Sequence, residues 1–508
     1  MRTLARTLLL VFLVTIGICL SSFPRGTCQL HTETATITVP DDYASIQGAI
    51  NAANAGDNVY VRNGTYYELV EVNKTISLVG ENKDTTVIDG SGFPYSAVLT
   101  IFGVSNATIQ NLTVQNGTAG LFLGNANYTK LRNISLRSNQ QNIILIDPSS
   151  LQNTNYDIDE SNTVDGKPVY FWNNRENEEM PSNAGYVALI NCNNVTVQGP
   201  NLTKDGIVLV NVKDCLIENA TIIETQVALQ TFDADNCTIR NSLFNNSGSG
   251  VALWNFNRSS FTNNIISNVT QQDAIFVGGS FSSTISENTI LNNSRGYYGL
   301  HVLAGNDDLI IGNKILNNTN GIQIEYSNNN SVSSNQIEGN FGVQLELTNS
   351  SSNTISGNRI VGSAFGIPVQ MGLVLGIDSN NNTITGNLIE GNHYGIYILR
   401  SENNSIFHNN IISNDIQAGA TSSYETHVYP NVWDDGLPSG GNHWSDYTGI
   451  DSNHDGIGDT FYVIADGNVD NYPLMNPYVV PEFYYMIYLL LFASSTLAAA
   501  AIQKRKKA

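Results

Sequence analysis

The chain has 508 residues, of which 41% are hydrophobic and only 13% charged, so it can bury a core and is not a solvated, disordered polymer. Its 23 basic and 44 acidic residues leave a net charge of -21, which repels phosphate backbones over the whole surface and excludes nucleic acid as a partner.

In chain order, a basic start (Met1 to Arg6) and an uninterrupted apolar run (Leu8 to Leu20) predict a secretory signal over residues 1–28, cut between Ser21 and Cys28. Residues 37–58 follow as an N-terminal cap. Asp41 and Asp42 suit a helix N-cap, and Tyr43, Ile46, Ile50 and Ala53 fall on one helical face.

From 59 to 416 the sequence repeats itself. Asn residues that precede an apolar gap fall at Asn219, Asn241, Asn263, Asn288, Asn313, Asn335, Asn358, Asn387 and Asn409, and Asn111 and Asn133 form an earlier pair. Most spacings are 22 to 25, and Cys215 and Cys237 are 22 apart as well. Each unit carries three short alternating strands, such as "TISGN", "NRI" and "GVQL", with Gly and Asn at the corners and no helical period between them. That pattern predicts an all-β fold, a right-handed parallel β-helix solenoid in which each coil adds one strand to each of three sheets. The recurrent Asn amides are expected to bond from coil to coil in the bends, where Asn also tolerates a left-handed backbone. Cys215 and Cys237 read as core residues of the stack rather than a redox pair.

The period breaks at about 142–185, an acidic segment with Tyr170, Phe171 and Trp172 in a row, which reads as a loop insertion packed on one side of the rod. Beyond the coils, residues 417–478 form a C-terminal module with an Asp-rich loop, "DSNHDGIGD". Oxygen side chains at Asp451, Asn453 and Asp455, the carbonyl of Ile457 and the carboxylate of Asp459 repeat the first nine places of a calcium loop, while Tyr462 stands where a bidentate Glu is expected. Calcium is therefore the expected cofactor. Residues 483–502 form an apolar stretch followed by a basic tail, 503–508, which predicts a single C-terminal transmembrane helix with the body outside the cell. Pro481-Glu482-Phe483 ahead of that stretch resembles the sorting tails of some archaeal surface proteins. About twenty Asn-x-Ser/Thr triplets fit an exported, glycosylated body.

Three stretches, "ITVPDDYASIQGAINAANAGDNVYVRNGTYYELVEVNKTISLVG", "NTVDGKPVYFWNNRENEEMPSNAGYVALINCNN" and "GNHWSDYTGIDSNHDGIGDTFYVI", resemble the opening, central insertion and closing module of NosD-like β-helix proteins. The resemblance spans about residues 37 to 478. It implies a pectin-lyase-like fold of the carbohydrate-binding and sugar-hydrolysing kind, and the family name implies a role in copper-site maturation. Copper needs clustered soft ligands. Here Met180, Met371, Met475 and Met486 are scattered, and His301, His393 and His408 share no repeat position, so copper is not expected.

Aligning the coils on Gly299, Gly321 and Gly342 predicts an outward row of His301 and Leu303, then Gln323 and Glu325, then Gln344 and Glu346. Trp254, Phe276 and Tyr397 extend it as aromatic carbohydrate-binding candidates with Gln323 and Gln344. In this alignment Glu325 and Glu346 are side by side, a spacing compatible with paired-carboxylate chemistry. With His301 they are the catalytic candidates. The row carries no Lys or Arg to act as a lyase base, so the expected function is a cell-surface glycan-binding or structural rod, partnered by an extracellular polysaccharide or glycoprotein. The alternatives are a polysaccharide lyase, hydrolase or epimerase, and a copper-site accessory protein.

Overall fold

A short strand with one apolar centre can bury that centre only by stacking on its own copy. In the computed structural model, which describes residues 34–479 apart from 154, 294–296, 364–369, 422–428 and 466, the repeats do this. Thr284–Ser286, Leu309–Ile311, Ser331–Ser333 and Thr354–Ser356 pair in parallel and in register, and their central residues Ile285, Ile310, Val332 and Ile355 are fully buried. Two such sheets have eleven strands each, and a third, longer sheet carries the strand that follows them in each coil. The fold is all-β, a parallel β-solenoid of the right-handed type.

The Asn residues form ladders at the corners. In one ladder, the backbone N–H of each residue donates to the side-chain oxygen one coil later, from Ser242 through Asn264, Asn288, Asn313, Asn335, Asn358, Asn387, Asn409 and Asn442 to Asp470, at 2.8 to 3.1 Å. A second runs from Cys237 through Ser259, Ser283 and Asp308 to Asn330, Asn353, Asn382, Asn404, Asn431 and Asn468. A third corner is held by Asn293, Asn318, Asn340 and Gln344.

The expected register needs a one-residue correction in the early coils. Asn219, Asn241 and Asn263 hold the left-handed position just before the ladder, at φ 54° to 56°, where Asn263 Nδ2 donates to Asn241 Oδ1 at 2.6 Å, and Ala220, Ser242 and Asn264 occupy the buried ladder column. In later coils Glu287, Gly312, Ser334 and Gly357 take the left-handed place. The same arrangement explains the Asn-x-Ser/Thr triplets. A left-handed Asn, a ladder residue and the Ser or Thr that opens the next strand recur as Asn329-Asn330-Ser331, Asn381-Asn382-Thr383 and Asn403-Asn404-Ser405.

The segment 142–185 is not a loop lying on the rod. Gln141–Leu145 still pairs with Ala119–Gly124, and Thr163–Val164 turns antiparallel into Lys167–Asn173, which joins the long sheet beside Tyr186–Ile190. Tyr170, Phe171 and Trp172 are therefore buried strand residues. The cause is a strand with apolar side chains on both faces. Trp172 and Leu189 point into one core and Phe171, Ala188, Val208 and Val210 into another, so the N-terminal coils pack against the outer face of the first strands of the later ones. Buried Asp205 fastens this junction by accepting from the backbone N–H groups of Asn142 and Ile143, both at 3.0 Å.

At the N-terminal end a helix, Ile46–Ala52, buries Ile46, Ala49 and Ile50. Its N-cap is Ser45, which accepts from Gly48 N–H, rather than Asp41 or Asp42; those bind Arg62 and Thr38. At the other end the module after 429 continues the stack. His443–Trp444 pairs with Asn410–Ile412, and Trp433 and Trp444 close the core at 1% exposure each. The signal reading (1–28) and the apolar stretch 483–502 lie outside the described residues, among which no helix is long and apolar enough to cross a membrane.

Two outcomes are expected. Asn335→Leu leaves the Asn313 N–H and the Ile310 carbonyl without their side-chain partner, and equilibrium unfolding should show a loss of about 1 to 3 kcal/mol. Asp205, Asp308 and Asp470 are buried carboxyls whose pKa is pushed by burial from 3.8 up to about 6. A raised folded-state value means the protonated form is favoured by folding, so their stabilisation is complete below about pH 4 and is lost as pH rises through about 6. Asp308→Asn should remove its share of that loss, seen as a smaller drop in melting temperature between pH 4.5 and 7 than in the parent.

Candidate functional site

The long sheet turns its inward rows into the core and its outward rows away from it, mostly to solvent, with Val374 covered. One outward row runs Ala252, Phe276, His301, Gln323, Glu346, Val374 and Tyr397; the next runs Trp254, Gly278, Leu303, Glu325 and Thr348. Where they meet, His301 bridges two carboxylates. Its Nδ1 is 3.0 Å from Asp273 Oδ2, and its Nε2 is 3.2 Å from Glu325 Oε2. Beside it, the Tyr298 hydroxyl donates to Glu346 Oε2 at 3.0 Å, and the Tyr298 backbone N–H donates to Asp273 Oδ1 at 2.7 Å. Burial and then the Glu346 carboxylate raise the Tyr298 phenol well above its usual pKa, so it stays a proton donor.

An aromatic ledge adjoins this cluster. Trp254, 40% exposed, lies against Phe276 with ring centroids 4.6 Å apart, and Phe276 meets the His301 ring edge-on at 5.3 Å. Farther along, Tyr397 meets Tyr394 at 5.2 Å.

The sequence candidates are thus gathered on one face, with one correction. Glu346 is in register with Gln323, and Glu325 with Thr348, so the two glutamates stand in different rows and not side by side. The coil after Gly321 holds extra residues at its corner, and alignment on Gly342 misplaces the strand by two. Gln344 accordingly points inward; it is fully buried, and its Oε1 accepts from Asn340 Nδ2 at 2.8 Å, closing the third ladder. It is not a binding residue. Asp273 and Tyr298 were missing from the sequence reading because each precedes its strand by two residues, outside the alternating core of the repeat.

The chain matches the family described as periplasmic copper-binding protein (NosD) over residues 183–373 and 296–449, together more than half its length. It belongs to the NosD family. A search of the curated proteins finds no match. Among solved structures, it is similar to the Azotobacter vinelandii mannuronan C-5 epimerase AlgE4 A-module, at 17% identity over 76% of this chain and 95% of that one, with a TM-score of 0.34. It is also similar to DFA-IIIase from Arthrobacter chlorophenolicus A6, at 12% identity over 78% and 98%, with a TM-score of 0.36. The Dettilon tailspike protein matches at 14% identity over 72% and 68%, with a TM-score of 0.29.

The NosD description names copper, and the described residues do not fit it. Cys192, Cys215 and Cys237 lie in the core, where their thiols approach the carbonyls of Ile190, Lys213 and Asp235 at 3.2 to 3.4 Å. Hydrogen bonding with Cys215, together with burial, raises the Cys237 pKa, which opposes the thiolate that copper needs. His301, His393 and His408 have separate partners on separate coils. Among the described residues no three His, Cys, Asp or Glu side chains are grouped to hold a metal ion.

In the loop expected to take calcium, Asp451 accepts from Asp455 and Gly456 N–H, Asn453 accepts from Asp455 N–H, Asp455 from Ile457 N–H, and Asp459 from Ser452 N–H. Tyr462 stacks on Trp444 at 4.3 Å and donates to Asp446, which accounts for an aromatic residue at that place.

In this NosD chain Cys237 occupies the corner column that Ser259 fills one coil later. Cys237→Ser should therefore change unfolding free energy by about 1 kcal/mol or less. The three described thiols should react with a small alkylating reagent only as the chain unfolds.

Proposed function

We propose that this chain binds a glycan along the outward face of its long sheet, from Trp254 to Tyr397. The observation that carries the reading is the half-exposed Trp254–Phe276 ledge that meets His301, from which Gln323, Glu325 and Glu346 continue over the next two coils. A sugar ring has an apolar C–H face and an edge of hydroxyls. The aromatic ledge suits the first, and the carboxylate and amide acceptors suit the second. Their rows recur at the strand spacing of about 4.8 Å, so one extended chain could meet several in turn.

The setting agrees with this. The family description names the periplasm, and the basic-apolar start with the apolar 483–502 stretch supports export and retention on the extracellular face of the cell membrane. In this reading the Ile46–Ala52 helix and the Trp433–Trp444 pair shield the two ends of the stack. Calcium at 451–459 would brace the second end; the alternating Asp451, Asn453 and Asp455 support that role.

A second reading, turnover of the bound glycan, is favoured by one feature. Tyr298 is a phenol kept protonated against a carboxylate, the arrangement of a proton donor.

A glycan array probed with the purified chain, followed by calorimetry on each hit, tests both. Trp254→Ala should weaken binding about tenfold. Tyr298→Phe separates the readings: lost product with retained binding means an enzyme, and unchanged behaviour of a non-reacting hit means binding alone. If no glycan binds, or Trp254→Ala changes nothing, the strip is an ordinary surface.

A further inference from the structure

Resting on that glycan-binding reading, we infer that the strip selects sugars bearing a protonated amino group and rejects uronates. Several other surface carboxylates of this chain are paired with arginine. Arg240 pairs with Glu218 at 2.7 Å, Arg359 with Glu338, Arg258 with Asp235, and Arg132 with Asp157 and with Asp159 at 2.9 Å. In each case a guanidinium reaches an acid on a neighbouring coil, which removes the cost of stacking like charges along a ladder.

Among the described residues that device is missing at the strip. Asp273, Glu325 and Glu346 converge on His301 and Tyr298, and the long-sheet strands from Val227–Asp235 to Tyr394–Leu399 contain no Lys or Arg. Two carboxylates meet one imidazole, and the third takes the Tyr298 hydroxyl. All three are partly accessible: Asp273 and Glu325 side chains retain 11% and 28% of their surface, and Glu346 is half-buried, its second oxygen accepting from the Thr348 hydroxyl at 3.3 Å.

A cation brought by the ligand supplies what the strip lacks. A divalent metal needs oxygens converging within about 2.6 Å of one point, and the described side chains form no such group. An ammonium has three donors on a rotatable bond, so it accepts acceptors spread over adjacent rows. The Trp254 and Phe276 faces add cation–π attraction at the edge of the same patch. A uronate carboxylate would instead approach three like charges in a chain of net charge -21.

The test is calorimetric binding of the full-length chain to three probes of equal length: glucosamine oligomers, N-acetylglucosamine oligomers and oligogalacturonate. Glucosamine oligomers should bind about tenfold or more tightly than the acetylated ones, weaken as salt is raised, and leave oligogalacturonate without measurable binding. Glu325→Gln and Glu346→Gln should each bring the glucosamine affinity down toward the acetylated level. Asp307→Asn, an exposed acid on a different corner, should not; equal losses in all three variants would mean diffuse attraction to an acidic chain and would overturn the inference. So would equal affinity for acetylated and free amines, or binding of oligogalacturonate, while the glycan-binding reading survived. Absence of binding to every glycan would overturn both.

Discussion

The structure depends on one recurring hydrogen bond, a backbone N–H at a corner received by a side-chain oxygen one coil later. Bends in a solenoid bury amides that no sheet partner can reach, and an unmet amide there costs free energy at every coil. Asn resolves this because its amide both accepts from the previous coil and donates onward; Asn335 accepts from Asn313 N–H and donates to Asn358 Oδ1. The matching place in the second ladder accepts Cys, Ser and Asp in earlier coils, and Ala220 heads the first, so the corner demands a compact side chain. The three buried aspartates are members or fasteners of this network, so their titration is a property of the scaffold.

The ladders also explain how a chain with so little charge holds a rigid outer face. With inward rows filled by Ile, Leu and Val, and corners fixed by amides, the outward rows are free to vary from coil to coil. Trp254, Phe276, His301 and Glu346 occupy equivalent or adjacent places that elsewhere hold Ala252, Val374 or Gly419.

The period, the parallel stacking and the three-sheet coil were legible because the repeat keeps Ile and Asn at fixed offsets over many turns. Register was less so. Adjacent Asn pairs such as Asn263-Asn264 carry two roles, a left-handed backbone and a ladder amide, that sequence alone does not divide. The extra residues before Leu345 shift one strand by two, which turned Gln344 inward and separated Glu325 from Glu346. The aromatic run at Tyr170 to Trp172 was read as a loop because it breaks the period, though three consecutive large apolar residues also describe a strand buried on both faces. Asp273 and Tyr298 became visible only when neighbouring coils were laid beside each other.

That two-sided strand bears on how anything can lie along the rod. Ala188, Val208 and Val210, outward-facing in the first coils, are covered by the N-terminal segment, and Phe232 packs against its edge. The outward face therefore first opens near Trp254, against this wall. A glycan bound there, as proposed, would meet the wall on one side, so its two directions would not be equivalent. A terminus can be seated against the wall, whereas an internal stretch must bend away from the rod to pass it. Such a wall would distinguish the ends of a bound chain from its middle by shape, before any chemical group is recognised.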